Sequence, residues 1–403
     1  MHYFKIILFF ILIFFIFPLN LYSEEISLNE TEKALNKIFN KYDMASMAIT
    51  VVNSENTIFK KSFGKRNIEN NLINSDNTYF RIASLSKIFT AIGLLSLADK
   101  NNVNLDNNIK EYLNFDFYNP HFKNNSITLT HILTHSAGLT EWRGGYGHFL
   151  QNMTKDNLKL RDFFDPAKNY YNINIWDKSP PGSKFNYSNL GFGIISAVIE
   201  NISRETFDNY IKNRIFNPLG IEASFNINDL LEKDVGTCYS NLGNFHIPSL
   251  DNIPHIKAVK VIPDNYSPGD NPLFFSPQGG LRINLNEMEI FLKAVLNRSD
   301  LLLSKDMWNE LEKSKFIPLN FVEKKEYGLG IEFRNDVISD VKMVGHSGES
   351  FGITTNLYYN REKNFGFYIM TSGAFLIKSG NSEFYNHEIE LFELIKNIIP
   401  LTD

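Results

Sequence analysis

Hydrophobic residues follow helical or strand spacing mainly near the two ends of the 403-residue chain. In the first hundred residues, helical spacing over 27–42 is followed by strand patterns over 44–52 and 57–63 and an apolar helical run over 88–97. Toward the other end, strand patterns return and a helical pattern closes the chain, at 330–333, 343–345, 354–359, 365–370 and 388–399. Both ends therefore contribute strands.

The middle of the chain has a different pattern, with long polar loops and few strand signals. Helices are predicted over 189–199 and 207–215, and a further helix over 285–296 precedes the returning strands. Strands at both ends with helices between them predict one sheet built from both termini, carrying an inserted helical region. The sheet region is assigned to residues 24–100 and 273–403 and the helical insert to 101–272.

The N-terminus has the layout of a secretory signal. Lys5 gives a positive start, residues 6–17 are wholly apolar, and Pro18 ends the run, so we expect a leader covering residues 1–23 that is cut after Ser23. The run is short for a membrane span, which needs about 20 apolar residues. An uncleaved anchor is the alternative, and only then would the protein contact a membrane. In both cases the protein is expected to be periplasmic or secreted.

Composition excludes some classes of function. A formal net charge of −5 without any basic cluster argues against nucleic-acid binding. The single cysteine, Cys238, excludes an intramolecular disulfide framework and is expected to be a small buried residue. The segment 238–269 is long and proline-rich; a functional loop and a simple surface excursion both remain open.

The most informative pattern is Ser84-Leu85-Ser86-Lys87, which opens the apolar helical run over 88–97. Residues three apart lie on one helix face, with about 5–6 Å between their Cβ atoms. A serine needs a partner that takes its proton, and a neighbouring lysine can do so. A helix N-terminus would also favour negative charge on the serine oxygen.

The same four-residue pattern occurs twice more, at 62–65 and 339–342. The first copy leads into a strand end and turn, and the second leads into a short strand-like run. Neither opens a helix, so neither should place serine and lysine on one face. Only Ser84 has the required context, and the other two copies are interpreted as solvated surface residues.

A second proton carrier is predicted at Tyr187-Ser188-Asn189, just before an apolar helix. A phenol beside a cation such as Lys87 can act as a general base, and the Asn189 amide offers a donor and an acceptor to a substrate amide. Other Tyr-x-Asn patterns occur, including Tyr239-Ser240-Asn241, but no helix follows that copy. Tyr187 is therefore the preferred candidate.

The third element is His346-Ser347-Gly348, at the end of a short strand. A strand beside the serine can lend a backbone N–H to an oxyanion and a polar side chain to a substrate carboxylate, and Gly348 allows close approach of a ligand. A lone histidine at a strand end is by itself more simply a surface residue.

Together and in this order, the three elements resemble the serine β-lactamase and penicillin-binding-protein family, whose signature is S-x-x-K, S-D-N and K-T-G. Tyr-Ser-Asn replaces Ser-Asp-Asn, as in the class C β-lactamase and D-alanyl-D-alanine carboxypeptidase branch. His-Ser-Gly replaces Lys-Thr-Gly, a variant associated with carboxypeptidases, D-aminopeptidases and esterases. Supporting segments are 132–139, 277–281 and 327–330.

The resemblance implies an α/β (α+β) fold of the β-lactamase/transpeptidase type. Its mixed, mostly antiparallel sheet would be flanked by helices, with the serine in a cleft beside an all-helical subdomain. Ser84 would be the nucleophile and Lys87 its activator, and Tyr187 would protonate the leaving group. The backbone N–H groups of Ser84 and Glu349 would form the oxyanion hole.

The remaining residues would bind substrate. Asn189 would orient it, while His346 would either support the tyrosine electrostatically or meet a substrate carboxylate. Ser347, Gly348 and Glu349 would line the same strand end, and the Glu349 carboxylate would then lie near the site and repel an anionic substrate. No metal or organic cofactor is expected.

His131 and His135 lie one helical turn apart and could ligate a metal ion. His135 lies within the supporting segment 132–139 and His131 directly precedes it, and no third ligand is evident.

The resulting expectation is a secreted serine hydrolase that works through an acyl-enzyme on Ser84. A peptidoglycan D-Ala-D-Ala peptide, a small ester and a β-lactam all present a suitable carbonyl, so the partner is a small molecule or a peptidoglycan peptide. The lack of lysine in the third motif argues mildly against an efficient class C-like β-lactamase. The alternative of another class is a non-catalytic family member that binds peptidoglycan or a partner protein.

Overall fold

The computed structural model describes residues 29–141, 158–243, 245–249, 262–263, 265–316 and 325–399. The leader expected over residues 1–23 lies outside the described residues, as does part of the loop expected over 238–269. No helix within the described ranges is both long and apolar enough to cross a membrane.

The main sheet has eight strands: β1 Ser46–Val52, β2 Thr57–Asn67, β3 Leu72–Ile73, β8 Lys325–Tyr327, β9 Glu332–Ile338, β10 Val341–Ser350, β11 Ile353–Asn360 and β12 Phe365–Ser372. Their order is β3-β2-β1-β12-β11-β10-β9-β8, with antiparallel pairing between neighbours. Two small antiparallel pairs join β4 Phe80–Arg81 to β7 Arg282–Ile283, and β5 Tyr239–Asn241 to β6 His246–Pro248. The predicted fold class, with a mostly antiparallel sheet built from both chain ends, is confirmed.

The helices are α1 29–41, α2 Ser86–Asn101, α3 Leu129–Leu133, α4 Asn189–Ser203, α5 Phe207–Ile211, α6 Asn217–Leu219, α7 Leu285–Leu296, α8 Lys305–Leu311 and α9 Asn386–Ile398. A π-helical turn, Lys212–Phe216, joins α5 to α6. Single 3₁₀ turns lie at Ala83–Leu85, Ile109–Glu111, Leu160–Phe163, Ile173–Ile175, Ile227–Leu230 and Pro272–Phe275.

The two faces of the sheet pack against different helices. Alternate residues of β12 face opposite ways: Phe367 and Ile369 join a core with α1 and α9, whereas Tyr368 and Met370 join a larger core with α2, α4 and α7. Helix α2 is buried on all sides from Ser86 to Ala98, as expected of a helix that is apolar all round. The start of α2 is therefore held in place by packing on every side.

The predicted start of the helix at Ser84 was wrong. The apolar pattern places the helix start at Ser84, but Ser84 lies in the 3₁₀ turn Ala83–Leu85, and α2 begins at Ser86. Beside this turn, β9 pairs with β10 only as far as Gly345, so the following residues of β10 are not covered by β9. This end of β10 contacts the turn that carries Ser84.

Candidate active site

Ser84 lies in a tight turn with a strained backbone. We call Ala83–Leu85 the serine turn. Ala83 has φ of 49°, the left-handed region, which costs an L-residue about 1–2 kcal/mol. The Ser86 hydroxyl holds the turn, because it donates to the Ala83 carbonyl oxygen (2.7 Å) and accepts from the backbone N–H of Leu281 (3.1 Å). The Ser84 side chain is half-buried, so a ligand can reach it.

The Lys87 amine is buried and makes three hydrogen bonds. Its Nζ donates to Ser84 Oγ (3.0 Å), to Asn189 Oδ1 (2.8 Å) and to the Gln278 carbonyl oxygen (2.8 Å). These contacts use the three hydrogens of an ammonium, and the first of them joins the lysine to the serine. The structure thus brings together the predicted Ser–Lys pair and one residue of the second motif.

Burial lowers the pKa of Lys87 to about 7, although the carboxylates of Glu141 and Glu332 act in the opposite direction. An ordinary lysine is charged at neutral pH and has no lone pair to accept a proton. With a pKa near 7, about half of the molecules carry a neutral amine at that pH, and this amine can accept the serine proton.

Tyr187 lies next to this amine. The Lys87 Nζ is 4.8 Å from the centroid of the half-buried Tyr187 ring. The His135 ring packs against the tyrosine at 4.3 Å between centroids, and its Nδ1 accepts the backbone N–H of Ser188 (3.0 Å). His346 is also close, with 6.3 Å between its ring centroid and that of Tyr187. His135 thus holds the second motif in place through ring packing and one backbone hydrogen bond.

Asn189 is the first residue of α4, and Ser188 caps the helix by accepting the backbone N–H of Gly191 (3.1 Å). A carboxylate that motif reasoning did not find sits on the same helix start. Glu141 Oε1 accepts the backbone N–H groups of Asn189 (2.7 Å) and Leu190 (3.2 Å), and its Oε2 accepts from Asn189 Nδ2 (3.4 Å). Glu141 follows a supporting segment of the sequence, but no spacing marks it.

His346 is fully buried, in contrast to an ordinary histidine at a strand end. Its Nδ1 bonds to the carbonyl oxygen of Ser347, and its Nε2 lies 3.8 Å from Glu332 Oε1. Burial lowers the pKa of His346 to about 4, against the nearby carboxylate, so the ring is neutral at pH 7. A neutral ring offers no positive charge to a substrate carboxylate. The other predicted role of His346, electrostatic support of Tyr187, stays a prediction.

Glu332 is a second buried carboxylate that the sequence did not reveal. It lies 3.0 Å from Lys325 Nζ and 3.5 Å from an Arg334 guanidinium nitrogen, and accepts the hydroxyls of Tyr327 (2.8 Å) and Tyr358 (3.1 Å). Burial alone would raise the pKa of Glu332, but the neighbouring cations outweigh it and hold the pKa well below the ordinary value. Glu332 therefore keeps a negative charge next to the His346 ring.

Gly348 brings β10 against the serine turn. A Cβ at this position would lie 2.7 Å from the Ile82 carbonyl oxygen, 2.9 Å from the Ser84 backbone nitrogen and 2.5 Å from Thr355 Oγ1. The Thr355 hydroxyl itself donates to the Ile82 carbonyl oxygen (2.8 Å). Only a residue without a side chain lets the strand approach the serine so closely.

The Glu349 side chain lies away from the serine. Side chains alternate along a strand, and the Cβ direction of Gly348 faces the serine turn, so Ser347 and Glu349 face the opposite side of the sheet. There Glu349 Oε1 accepts the hydroxyl of Tyr385 (2.7 Å), the residue that precedes α9. The expected carboxylate near the serine is thus on the other face, and only the backbone of Glu349 remains available for the predicted oxyanion hole.

Replacing Gly348 with alanine is expected to slow acyl transfer about 10- to 100-fold and to destabilise the protein by about 1–3 kcal/mol. The added methyl group would clash with the backbone of Ile82 and Ser84, so the strand end or the turn must move. Urea unfolding and the acylation rate would measure both effects. Gly279→Ala is the matched control, since a Cβ there is no closer than 3.7 Å to the same turn. Equal behaviour of the two variants would contradict this role of Gly348.

The other copies of the motifs lie elsewhere. Ser62 is on β2 and donates to Asp76 Oδ1 (2.6 Å), and Ser339 is exposed between β9 and β10. Tyr239 is buried in the β5–β6 hairpin, where its hydroxyl bonds to Glu69. None of the three is bonded to the Ser84–Lys87 pair. These copies of the motifs therefore lie outside the candidate site. The expected burial of Cys238 is observed.

The two candidate metal ligands, His131 and His135, accept hydrogen bonds from different backbone groups. His131 Nδ1 accepts the backbone N–H of Thr128 (3.3 Å), and His135 Nδ1 accepts that of Ser188. Within the described ranges, no three histidine, cysteine or acidic side chains are grouped as a metal ion would require. The two imidazoles therefore have a structural explanation, in helix capping and in positioning the second motif.

Comparison with known proteins gives concordant matches. The family model described as Beta-lactamase matches residues 28–390. A penicillin-binding protein from Bacillus subtilis (strain 168) is 26% identical over 301 residues, which are 74% of this chain and 61% of that protein. The octameric penicillin-binding protein homologue from Pyrococcus abyssi superposes with a TM-score of 0.70 at 23% identity, covering 91% of this chain and 76% of that one. A D-stereospecific amidohydrolase from Streptomyces sp. has a TM-score of 0.59 at 18% identity, covering 86% and 94%.

Proposed function

Because the chain belongs to the Beta-lactamase family, we propose that it is a serine hydrolase that acts on amide or ester carbonyls through an acyl-enzyme on Ser84. One observation supports this most directly: a buried amine with a pKa of about 7 lies 3.0 Å from the Ser84 hydroxyl. The nucleophile and the group that takes its proton are thus already in hydrogen-bond contact.

In the proposed first step, Ser84 Oγ attacks the substrate carbonyl carbon while its proton passes to the neutral Lys87 amine. The carbonyl oxygen becomes an oxyanion, which the backbone N–H groups of Ser84 and Glu349 would stabilise. The bond to the leaving group then breaks as Tyr187 supplies a proton. Water hydrolyses the ester formed on Ser84 by the reverse proton transfers, which restores the serine.

The substrate we propose is a carbonyl compound of the D-alanyl-D-alanine carboxypeptidase or esterase type. The relatives described as a penicillin-binding protein and a D-stereospecific amidohydrolase support this range. Among these substrates, the neutral state of His346 favours those that place no carboxylate against its ring. The same neutrality argues against an efficient class C-like β-lactamase, because such activity would call for a cation in the third motif.

A non-catalytic peptidoglycan- or partner-binding protein is the alternative of another class. A binding protein has no need of a buried amine held against a serine, and burying Lys87 lowers the stability of the fold, a cost typical of residues kept for activity. The contacts of Lys87 therefore favour an enzyme. From the leader pattern in the sequence, we further propose that it works in the periplasm or outside the cell.

The decisive experiment is covalent trapping. The purified protein is incubated with benzylpenicillin, a nitrophenyl ester and a D-alanyl-D-alanine peptide, and each sample is analysed by intact mass and peptide mapping. We expect an acyl adduct on the peptide that contains Ser84. Hydrolysis of a probe without any adduct on Ser84, or an adduct on a different residue, would contradict the proposal.

A further inference from the structure

The Asn189 amide stands between a donor and an acceptor. Its Oδ1 accepts from the Lys87 ammonium (2.8 Å), and its Nδ2 donates to Glu141 Oε2 (3.4 Å). An asparagine amide can turn by half a rotation and exchange its oxygen and nitrogen. A carboxylate only accepts hydrogen bonds, so Glu141 excludes the orientation that would direct the amide oxygen away from the lysine.

Glu141 also fixes the backbone that carries Asn189. Its Oε1 accepts the N–H groups of Asn189 (2.7 Å) and Leu190 (3.2 Å), the first two residues of α4. These groups have no partner within a helix, and the helix dipole favours a negative charge there. Two of the three hydrogen bonds hold the side chain and the backbone of Asn189 together, and the third holds the backbone of Leu190, which is more than a helix cap requires.

We propose that Glu141 is a positioning residue of the active site, which rests on the proposed function: it orients Asn189 toward Lys87 and holds a negative charge near the amine. The charge and the hydrogen bonds have separate effects. The hydrogen bonds aim the amide at the amine, so they affect the rate of acyl transfer. The charge favours the protonated amine, so together with that of Glu332 it raises the pH at which Lys87 becomes a base, against the larger effect of burial.

Two substitutions of Glu141 separate the effect of its charge from the effect of its hydrogen bonds. Burial raises the pKa of Glu141, while the N–H groups of α4 and the charge of Lys87 act in the opposite direction. Glu141→Gln keeps the size of the side chain but removes the charge, and its amide can accommodate either orientation of Asn189. Glu141→Asp keeps the charge but is one methylene shorter, so it cannot reach all three donors at once.

The test measures Lys87 directly and then its chemistry. Protein labelled with ¹³C at lysine Cε is titrated by NMR, with the Lys87 signal assigned from its absence in Lys87→Arg. Acylation of Ser84 by a nitrophenyl ester is followed over the same pH range. Thermal unfolding checks that each variant is folded, and Glu222→Gln, at a surface carboxylate paired with Lys233, is the control.

In Glu141→Gln, we expect the Lys87 midpoint to move to lower pH by about one unit, since an opposite charge nearby is lost, and acylation to slow about tenfold. Glu141→Asp should keep the midpoint near the wild-type value and still acylate slowly. Wild-type midpoint and rate in Glu141→Gln would overturn the proposal, as would slow acylation in both variants with no change of midpoint, which indicates a purely structural role. The titration needs no substrate. Wild-type protein that fails to acylate Ser84 would therefore count against the proposed function, while the titration would still decide the effect of Glu141.

Discussion

The Ser84→Ala variant is expected to lose about 10⁴- to 10⁶-fold in the rate of acyl transfer while remaining folded. The Lys87 amine is bonded to the Ser84 hydroxyl, and its bonds to Asn189 and Gln278 go to an amide oxygen and a backbone carbonyl, neither of which is a nucleophile. The residual rate would come from substrate binding and the oxyanion hole alone. Mass spectrometry for the adduct and a chromogenic ester assay for turnover would measure the loss.

The chain itself offers a matched control for this variant. Ser339 belongs to another copy of the S-x-x-K pattern but is exposed between two strands. Ser339→Ala is expected to retain wild-type activity. The fold of Ser84→Ala should be intact, because the Ser86 hydroxyl rather than that of Ser84 holds the serine turn. A folded Ser84→Ala protein that turns over substrate at the wild-type rate would refute the role of Ser84.

Replacing Lys87 with methionine is expected to lower the acylation rate at least about 10³-fold at every pH from 5 to 9. The wild-type rate should rise with pH and reach half of its maximum near pH 7. The direction follows from the pKa of about 7 that burial produces in Lys87: below it the amine is protonated and cannot accept the serine proton, and above it the amine is free. Stopped-flow acylation across this pH range would measure both effects.

The matching control is Lys342→Met, in the same exposed copy of the pattern, where the amine pairs with Glu326 on the surface (3.0 Å). Its pH profile should equal that of the wild type. A wild-type rate that does not change between pH 5 and 9, or a Lys87→Met variant with the wild-type profile, would exclude Lys87 as the base.

The sequence separates the Ser84 motif from its copies because the residues that follow Ser84 are hydrophobic and periodic. Ser84 is distinguished from Ser62 and Ser339 only by the apolar run that follows it, and that run is α2 in the structure. The pattern could not place the exact start of α2, since a three-residue 3₁₀ turn is too short to have a period of its own. Polar residues also hide the end of β10, which continues to Ser350, well past the apolar positions of the strand.

The charges around the site could not be predicted in the same way. Glu141 is recognised only by its contacts with the start of α4, and Glu332 only by its contacts with Lys325 and Arg334. Such contacts come from tertiary packing and leave no spacing in the chain. For the same reason, the burial that keeps His346 neutral was not foreseen, although its place in the third motif was.

The order of strands has a consequence for how the protein reaches its active form. β1 lies between β2 and β12, and Ser46 pairs with Ser372, so the centre of the sheet joins the first long strand to the last. Closing so long a loop is entropically costly, and contacts so distant in sequence slow folding. A growing chain on the ribosome cannot complete the sheet before β12 has emerged. Because β10 presses against the serine turn, shorter translation products would contain Ser84 and Lys87 but no finished site.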